Sequence, residues 1–136
     1  MRITPYLSFQ GQCAEAFKLY EKVLKGKIMF SMTYGESPMA DKTAPDARNH
    51  IMHTTLQVGD QQFHGADAPP HLYSKPAGVT VSIMTKDYAE AERIFTELSE
   101  GGQVHMPFQK TFWSPGFGMC IDKYSIPWMV NVEQAR

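Results

Sequence analysis

The residues of this chain best suited to proton transfer are two of its five histidines, His53 and His64. Both fall in runs of alternating residues, where His64 shares a strand face with Gln62 and His53 shares one with Thr55. An imidazole titrates near neutral pH and can act as a general acid or base. If the two faces line one pocket, both imidazoles could flank a ligand, and His64 is the candidate catalytic residue. The alternative is that both are surface groups or ordinary hydrogen-bond partners.

Two further side chains stand out by their position in the sequence. Trp113 lies beside Ser114-Pro115-Gly116 at the predicted end of a strand, where an aromatic ring can leave the core and form the wall of a pocket. Asn131 places an amide in the otherwise apolar strand 129–132, and such an amide costs stability unless it finds partners. Those partners are either neighbouring backbone groups or an oxygen of a ligand.

Other kinds of site find no support in the sequence. It contains no pair of carboxylates at a controlled spacing, no Ser-His-Asp arrangement and no glycine loop that could cradle a phosphate. The net charge of −1 gives no electrostatic basis for binding nucleic acid or an acidic membrane surface. Cys13 and Cys120 have no C-x-x-C partner, so we expect two reduced thiols. The first residues lack the apolar stretch of a signal peptide, and we expect a cytoplasmic protein.

The elements that would position these residues are duplicated. Ala14-Glu15-Ala16 recurs 75 residues later as Ala89-Glu90-Ala91, and at the same spacing Tyr20 corresponds to Phe95. A repeated half of this size cannot bury its apolar face alone, so the two halves are predicted to pack on each other. The seam between them is the predicted place for a ligand.

Hydrophobic periodicity gives each half the order βαβββ. In the first half the predicted elements are a strand over 3–9, a helix over Cys13–Lys25, and strands at Lys27–Tyr34, Ile51–Val58 and Gln62–Ala66. In the second half they are a strand at Val79–Met84, a helix from the N-cap Asp87 to about Glu100, and strands at Val104–Phe112, Phe117–Ile121 and Ile126–Val132. Gly26 is predicted to follow the first helix in the left-handed conformation, and Glu90 to complete a capping box with Asp87.

These elements predict an α+β fold of two tandem βαβββ modules, residues 1–67 and 78–136, in a single domain 1–136. Each module is expected to form a curved mixed sheet with its helix on the outer face. Gly35–Asn49 is predicted to be a polar loop long enough to serve as a mobile lid. Asp67–Gly78 is predicted to link the modules and to be stiffened by its prolines.

Several motifs resemble those of a known family. The N-terminal part contributes the end of the first helix ahead of Gly26, which resembles an F-Y-x-x-x-L-G motif, together with Pro5-Tyr6-Leu7-Ser8-Phe9, Ala14–Tyr20 and Ile51-Met52-His53. The C-terminal part contributes Thr111-Phe112-Trp113, Phe117-Gly118, Asp122-Lys123 and Pro127-Trp128-Met129-Val130-Asn131. Along nearly its whole length the chain is therefore similar to the vicinal oxygen chelate superfamily of glyoxalases, bleomycin-resistance proteins and extradiol dioxygenases. Within that superfamily it resembles the PhnB-like branch.

The resemblance implies a divalent metal ion held by the first and last strands of each module. Aligned on the helix motif, the ligand positions hold Pro5 or Tyr6, then His64, then Val79 or Thr80, and finally Met129. Only His64 is a strong ligand, whereas a catalytic metal of this type ordinarily has three protein ligands. We therefore predict no metal and no other cofactor at the standard place, with a divalent metal as the alternative.

The resemblance also implies a homodimer and a mostly apolar cup that takes a small-molecule ligand. The residues expected to line this cup are Tyr6, Ser8, His53, His64, Trp113, Met129 and Asn131. One class of function is binding of a small apolar or aromatic molecule, as in the drug-resistance relatives. The other is a metal-dependent or His64-dependent lyase, isomerase or dioxygenase. The poor set of metal ligands favours binding.

Overall fold

The computed structural model describes residues 1–134, and the chain divides into two compact units, Met1–Ser74 and Lys75–Arg136. Each unit contains one helix and one four-stranded mixed sheet. The predicted α+β fold of two tandem βαβββ modules is therefore confirmed. Neither helix in residues 1–134 is long and apolar enough to cross a membrane.

Unit 1 pairs its first strand with its last. Its elements in chain order are β1 (Tyr6–Phe9), α1 (Cys13–Val23), β2 (Lys27–Thr33), β3 (Ile51–Val58) and β4 (Gln61–Asp67). The strand order in the sheet is β1-β4-β3-β2, with β1 parallel to β4 and the other neighbours antiparallel. The parallel pair requires a crossover, and α1 lies within that crossover.

The core of unit 1 lies between α1 and one face of the sheet. Phe17 on α1 packs its ring against Phe9 on β1 and Phe63 on β4, with ring centroids 6.1 and 5.4 Å apart. Gly65 on β4 makes room for this packing, because a Cβ there would lie 2.5 Å from the Phe17 ring. Since side chains alternate along a strand, β4 directs Phe63 and Gly65 towards the helix and His64 to the opposite, open face.

Unit 2 repeats this arrangement. Its elements are β5 (Val81–Thr85), α2 (Tyr88–Ser99), β6 (Gln103–Gln109), β7 (Phe117–Ile121) and β8 (Pro127–Val132), in the strand order β5-β8-β7-β6. Trp128, Val130 and Val132 on β8 are buried on the side of the sheet that packs against α2. The indole N–H of Trp128 donates to the buried carboxylate of Asp122. Trp128 therefore occupies a core position in unit 2.

One predicted strand boundary and one predicted left-handed residue are wrong. β1 begins at Tyr6 rather than residue 3, because Pro5 has no N–H to donate to a ladder. The left-handed residue after α1 is Lys25, with φ of 54°, and not Gly26. Glycine is needed at 26 for another reason, since a Cβ there would lie 2.6 Å from the carbonyl oxygen of Gln57.

The second module also departs from expectation at two places. β6 ends at Gln109 rather than Phe112, because the Thr111 N–H turns back to bond the Ser114 carbonyl. Asp87 caps α2 by accepting from the Glu90 N–H, as predicted. The Glu90 carboxylate, however, binds Arg93, and the Asp87 N–H donates to the Thr85 hydroxyl.

The predicted polar loop between β2 and β3 is more ordered than a plain loop. It contains three short 3₁₀ turns, at Tyr34–Glu36, Ala40–Lys42 and Pro45–Ala47. Its two ends are joined by backbone hydrogen bonds from Tyr34 to His50 and from Gly35 to Arg48. A role for this segment as a lid stays a prediction.

Candidate functional site

Four polar side chains meet on the open face of the unit 1 sheet, away from α1. Tyr6 on β1 lies opposite His64 on β4, and His64 lies opposite Thr55 on β3. His53 precedes Thr55 by two residues on β3 and therefore points to the same face. We refer to Tyr6, His53, Thr55 and His64 as the histidine cluster. The sequence predicted three of its members to be neighbours, and the structure brings those three together.

The histidine cluster is connected by a continuous chain of hydrogen bonds. The Tyr6 hydroxyl lies 3.1 Å from Nδ1 of His53. Nε2 of His53 lies 3.3 Å from the Thr55 hydroxyl, which in turn lies 2.9 Å from Nδ1 of His64. Both ring nitrogens of His53 are thus engaged, whereas His64 uses only Nδ1 within the cluster.

The rings of the histidine cluster also stack. The two imidazoles are 5.3 Å apart at their centroids with planes 26° from parallel, and the phenol of Tyr6 is 6.3 Å from His64. Phe30 on β2 extends the surface, with its ring 6.0 Å from that of His53. Tyr6 is 54% exposed and Phe30 is 46% exposed. The open face therefore presents aromatic rings around a polar centre, which is the usual composition of a small-molecule site.

The surroundings of the cluster favour the neutral forms of His64 and Tyr6. Burial lowers the pKa of His64, and the nearby His53 and Arg2 lower it further. Burial raises the pKa of Tyr6, with smaller contributions from Cys13 and Tyr34. Near neutral pH the His64 imidazole is therefore a free base, and the Tyr6 phenol keeps its proton.

The predicted site residue Ser8 lies on the same side of β1 as Tyr6, is half-buried and pairs with Ala66 on β4. It follows Tyr6 by two residues, so its side chain also points to the open face.

The remaining predicted site residues belong to unit 2. Met129 and Asn131 share the face of β8 that lies opposite its buried residues. Oδ1 of Asn131 is buried without a hydrogen-bond partner among residues 1–134. The structure therefore does not support the interpretation that this oxygen bonds neighbouring backbone groups.

Trp113 is 43% exposed and packs on Phe112 and Phe117. It lies in the connection between β6 and β7 rather than at the end of a strand, because β6 ends earlier than predicted.

The donor atoms present do not fit the metal centre that the superfamily resemblance implies. No three His, Cys, Asp or Glu side chains within residues 1–134 are grouped so that they could hold an ion. The histidine cluster offers two imidazoles, which are bridged by the Thr55 hydroxyl. A catalytic zinc-type centre ordinarily takes three protein ligands, and the cluster supplies two.

Asp67, the last residue of β4, is buried and has a structural role. Its Oδ1 accepts from the N–H groups of Gly11 and Cys13 at 2.7 and 3.0 Å, and its Oδ2 accepts from the N–H of Ile51 at 2.8 Å. Its carbonyl oxygen accepts from the hydroxyl of Tyr34. Asp67 thereby joins the start of α1, the start of β3 and the end of β4. No local pattern in the sequence signals this, because the three amides belong to distant segments.

Sequence reasoning also missed a cavity of about 620 Å³ in unit 1. It lies between the 3₁₀ turns and the residues that follow β4, and its walls include Tyr34, Met39, His50, Pro69 and Pro70. The histidine cluster does not line this cavity.

The comparisons with known proteins agree with this architecture. A family model for 3-demethylubiquinone-9 3-methyltransferase matches residues 1–131. The chain belongs to this family. Another relative is protein YjdN of Escherichia coli (strain K12), which is 31% identical over 147 residues covering 100% of this chain and 98% of YjdN. Among solved structures, this chain is similar to protein PA1353 from Pseudomonas aeruginosa, with 40% identity, a TM-score of 0.90 and 99% of each chain covered.

Two more distant structures show the fold alone. A Bacillus cereus protein described as a putative 3-demethylubiquinone-9 3-methyltransferase, PhnB protein, is 23% identical with a TM-score of 0.82, covering 96% of this chain and 98% of that one. The fosfomycin resistance protein FosX from Mesorhizobium loti is 9% identical with a TM-score of 0.61, covering 98% and 92%. The match of the family model confirms the resemblance to the PhnB-like branch at the level of the family, and the likeness to FosX is one of fold.

Proposed function

We propose that this family member binds a small aromatic or otherwise apolar molecule on the open face of the unit 1 sheet. The observation that carries the proposal is the pair of exposed rings, Tyr6 and Phe30, on either side of two imidazoles that the Thr55 hydroxyl bridges. Exposed aromatic rings supply flat apolar contact area, and Nε2 of His64, which the hydrogen bonds of the cluster do not use, supplies one polar contact for orientation. A phenol or an aromatic ketone matches both features.

A thermal-shift screen of small aromatic compounds, followed by calorimetric titration of the hits, tests this proposal. Phe30→Ala removes an exposed ring and should weaken binding about fivefold, since one aromatic contact contributes about 0.5–1.5 kcal/mol. The matched control is Tyr88→Ala, which removes a ring of similar exposure at the start of α2. The proposal fails if no compound binds, or if Phe30→Ala binds every hit as tightly as Tyr88→Ala does.

The alternative is an enzyme of the lyase, isomerase or dioxygenase type. Its metal-dependent form has no fitting donor set in residues 1–134, and we predict that the protein holds no stoichiometric divalent ion. Elemental analysis of protein purified without chelator or affinity tag checks this prediction. One equivalent of metal that disappears in His64→Ala would overturn it. The form that relies on histidine alone is supported by the connected hydrogen bonds of the cluster.

A further inference from the structure

We propose that the histidine cluster is a proton relay that isomerises a small enolisable carbonyl compound, with His64 as the base and Tyr6 as the acid. This inference rests on the proposed function, because the substrate would occupy the same open face. The chain of hydrogen bonds from Tyr6 through His53 and Thr55 to His64 carries it.

The Thr55 hydroxyl couples the two imidazoles. It has a single proton, so when it donates to one ring within the chain it must accept from the other. Each neutral imidazole likewise has one N–H and one bare nitrogen. The chain therefore has two internally consistent arrangements, in which all the donors point towards His64 or all point towards Tyr6.

In the first arrangement Tyr6 donates to His53, His53 donates to Thr55, and Thr55 donates to Nδ1 of His64, which leaves a proton on Nε2 of His64. In the second arrangement every donor is reversed. Nε2 of His64 is then bare and can accept a proton, whereas the Tyr6 O–H is free to donate one. The second arrangement thus presents a base and an acid on the same face at once.

The two arrangements together complete an isomerisation with atoms and electrons in balance. Starting from the second, a C–H bond beside the substrate carbonyl breaks, its proton passes to Nε2 of His64, and its electron pair forms the C=C bond of an enol. The Tyr6 proton passes to the carbonyl oxygen as the C=O π pair moves onto that oxygen. One proton then shifts along each hydrogen bond of the chain, which leaves the first arrangement. In a substrate with a C=C bond between its β and γ carbons, this enol is a dienol. The reverse sequence then returns the O–H proton to Tyr6 as the C=O bond re-forms, shifts the adjacent C=C pair to the α–β position, and delivers the His64 proton to the γ carbon, where the pair of the former β–γ bond binds it.

The protonation states of the free cluster suit these roles. The pKa of His64 is lowered by burial, His53 and Arg2, so its neutral form prevails near neutral pH. The pKa of Tyr6 is raised by burial, Cys13 and Tyr34, so its phenol keeps the proton it must donate. A neutral imidazole base and a protonated phenol acid are the pair that enolisation requires.

Phenylacetone, a neutral aromatic ketone with enolisable C–H bonds, is a suitable probe. In D2O the protein should accelerate the exchange of its benzylic hydrogens, as followed by proton NMR. Thr55→Val keeps the shape of the side chain but removes the hydroxyl, and should reduce the exchange rate at least tenfold. Thr55→Ser restores the hydroxyl and should recover most of the rate. Thr96→Val, the same change at an exposed threonine of α2 whose hydroxyl donates to the Glu92 carbonyl of its own helix, should leave the rate unchanged.

Binding and exchange fail in distinguishable ways. Phenylacetone that binds in calorimetry without accelerated exchange would overturn the relay and leave the proposed function in place. Exchange at the wild-type rate in Thr55→Val would also overturn the relay, since it would make Thr55 dispensable. Absence of exchange with phenylacetone, together with no binding by any compound of the thermal-shift screen, would overturn both proposals.

A second measurement needs no activity. In both arrangements the two rings carry their protons on the same nitrogen, Nε2 in one case and Nδ1 in the other. Long-range proton–nitrogen NMR of His53 and His64 should therefore find matched tautomers. Opposite tautomers, in which both rings donate to Thr55, would refute the relay even in a well-folded protein.

Discussion

Replacing Asp67 should destabilise unit 1 in proportion to the number of buried N–H groups left without an acceptor. In Asp67→Asn the single remaining oxygen can keep the bonds to Gly11 and Cys13, but the new NH2 group faces the Ile51 N–H. An unsatisfied buried donor costs about 1–3 kcal/mol, so we expect a loss of about 2 kcal/mol in the free energy of unfolding. In Asp67→Ala the buried amides of Cys13 and Ile51 both lose their acceptor, and the loss should be about 4 kcal/mol.

Urea unfolding followed by far-UV circular dichroism measures these losses. The matched control is Asp60→Asn, which makes the same chemical change at an exposed carboxylate in the turn between β3 and β4. Both tryptophans, Trp113 and Trp128, belong to unit 2, so their fluorescence reports separately on that unit. If Asp67→Asn differs from Asp60→Asn by less than about 0.5 kcal/mol, the reasoning from buried amides is refuted.

Three further outcomes are expected. Gly65→Ala should cost about 1–3 kcal/mol in urea unfolding, because the added methyl group would overlap the ring of Phe17; an unchanged unfolding midpoint would contradict the packing described. Trp128→Phe should cost about 2–4 kcal/mol, since it leaves a void and removes the hydrogen bond to the buried carboxylate of Asp122, whereas Trp113→Phe should cost less than about 1 kcal/mol; equal losses would contradict the burial of these two rings. The lowered pKa of His64 means that the unfolded chain binds a proton at this imidazole more tightly than the folded protein does. The free energy of unfolding should therefore fall as pH decreases below about 6.5. His64→Gln should make the free energy of unfolding depend less steeply on pH between about pH 7 and pH 5. An identical slope in the variant would show that His64 does not contribute.

The sequence by itself determined the repeated architecture. Residues that alternate with period two must place successive side chains on opposite faces of a strand, and residues three and four apart must share one face of a helix. Asp87 was recognisable as an N-cap because its bond to the Glu90 amide spans only three residues. These relations are local, so the backbone geometry of each element suffices to predict them.

The histidine cluster was predictable only in part. Alternation placed His53 and Thr55 on one face of β3. It also placed His64 and Phe63 on different faces of β4. That Thr55 lies opposite His64, and so bridges both imidazoles, depends on the register of β3 against β4. A register is set by the packing of the whole sheet on α1 and by the turn that joins the two strands.

Tertiary structure alone decided the role of Asp67 and the need for glycine at position 26. Asp67 is buried because amides from residues 11, 13 and 51 converge on it, and no spacing in the sequence records that convergence. Gly26 is required by the approach of the Gln57 carbonyl oxygen from a strand some thirty residues away, not by the end of its own helix. Local periodicity fixes which elements form and which faces they present, whereas contacts between distant segments depend on the three-dimensional packing of those elements.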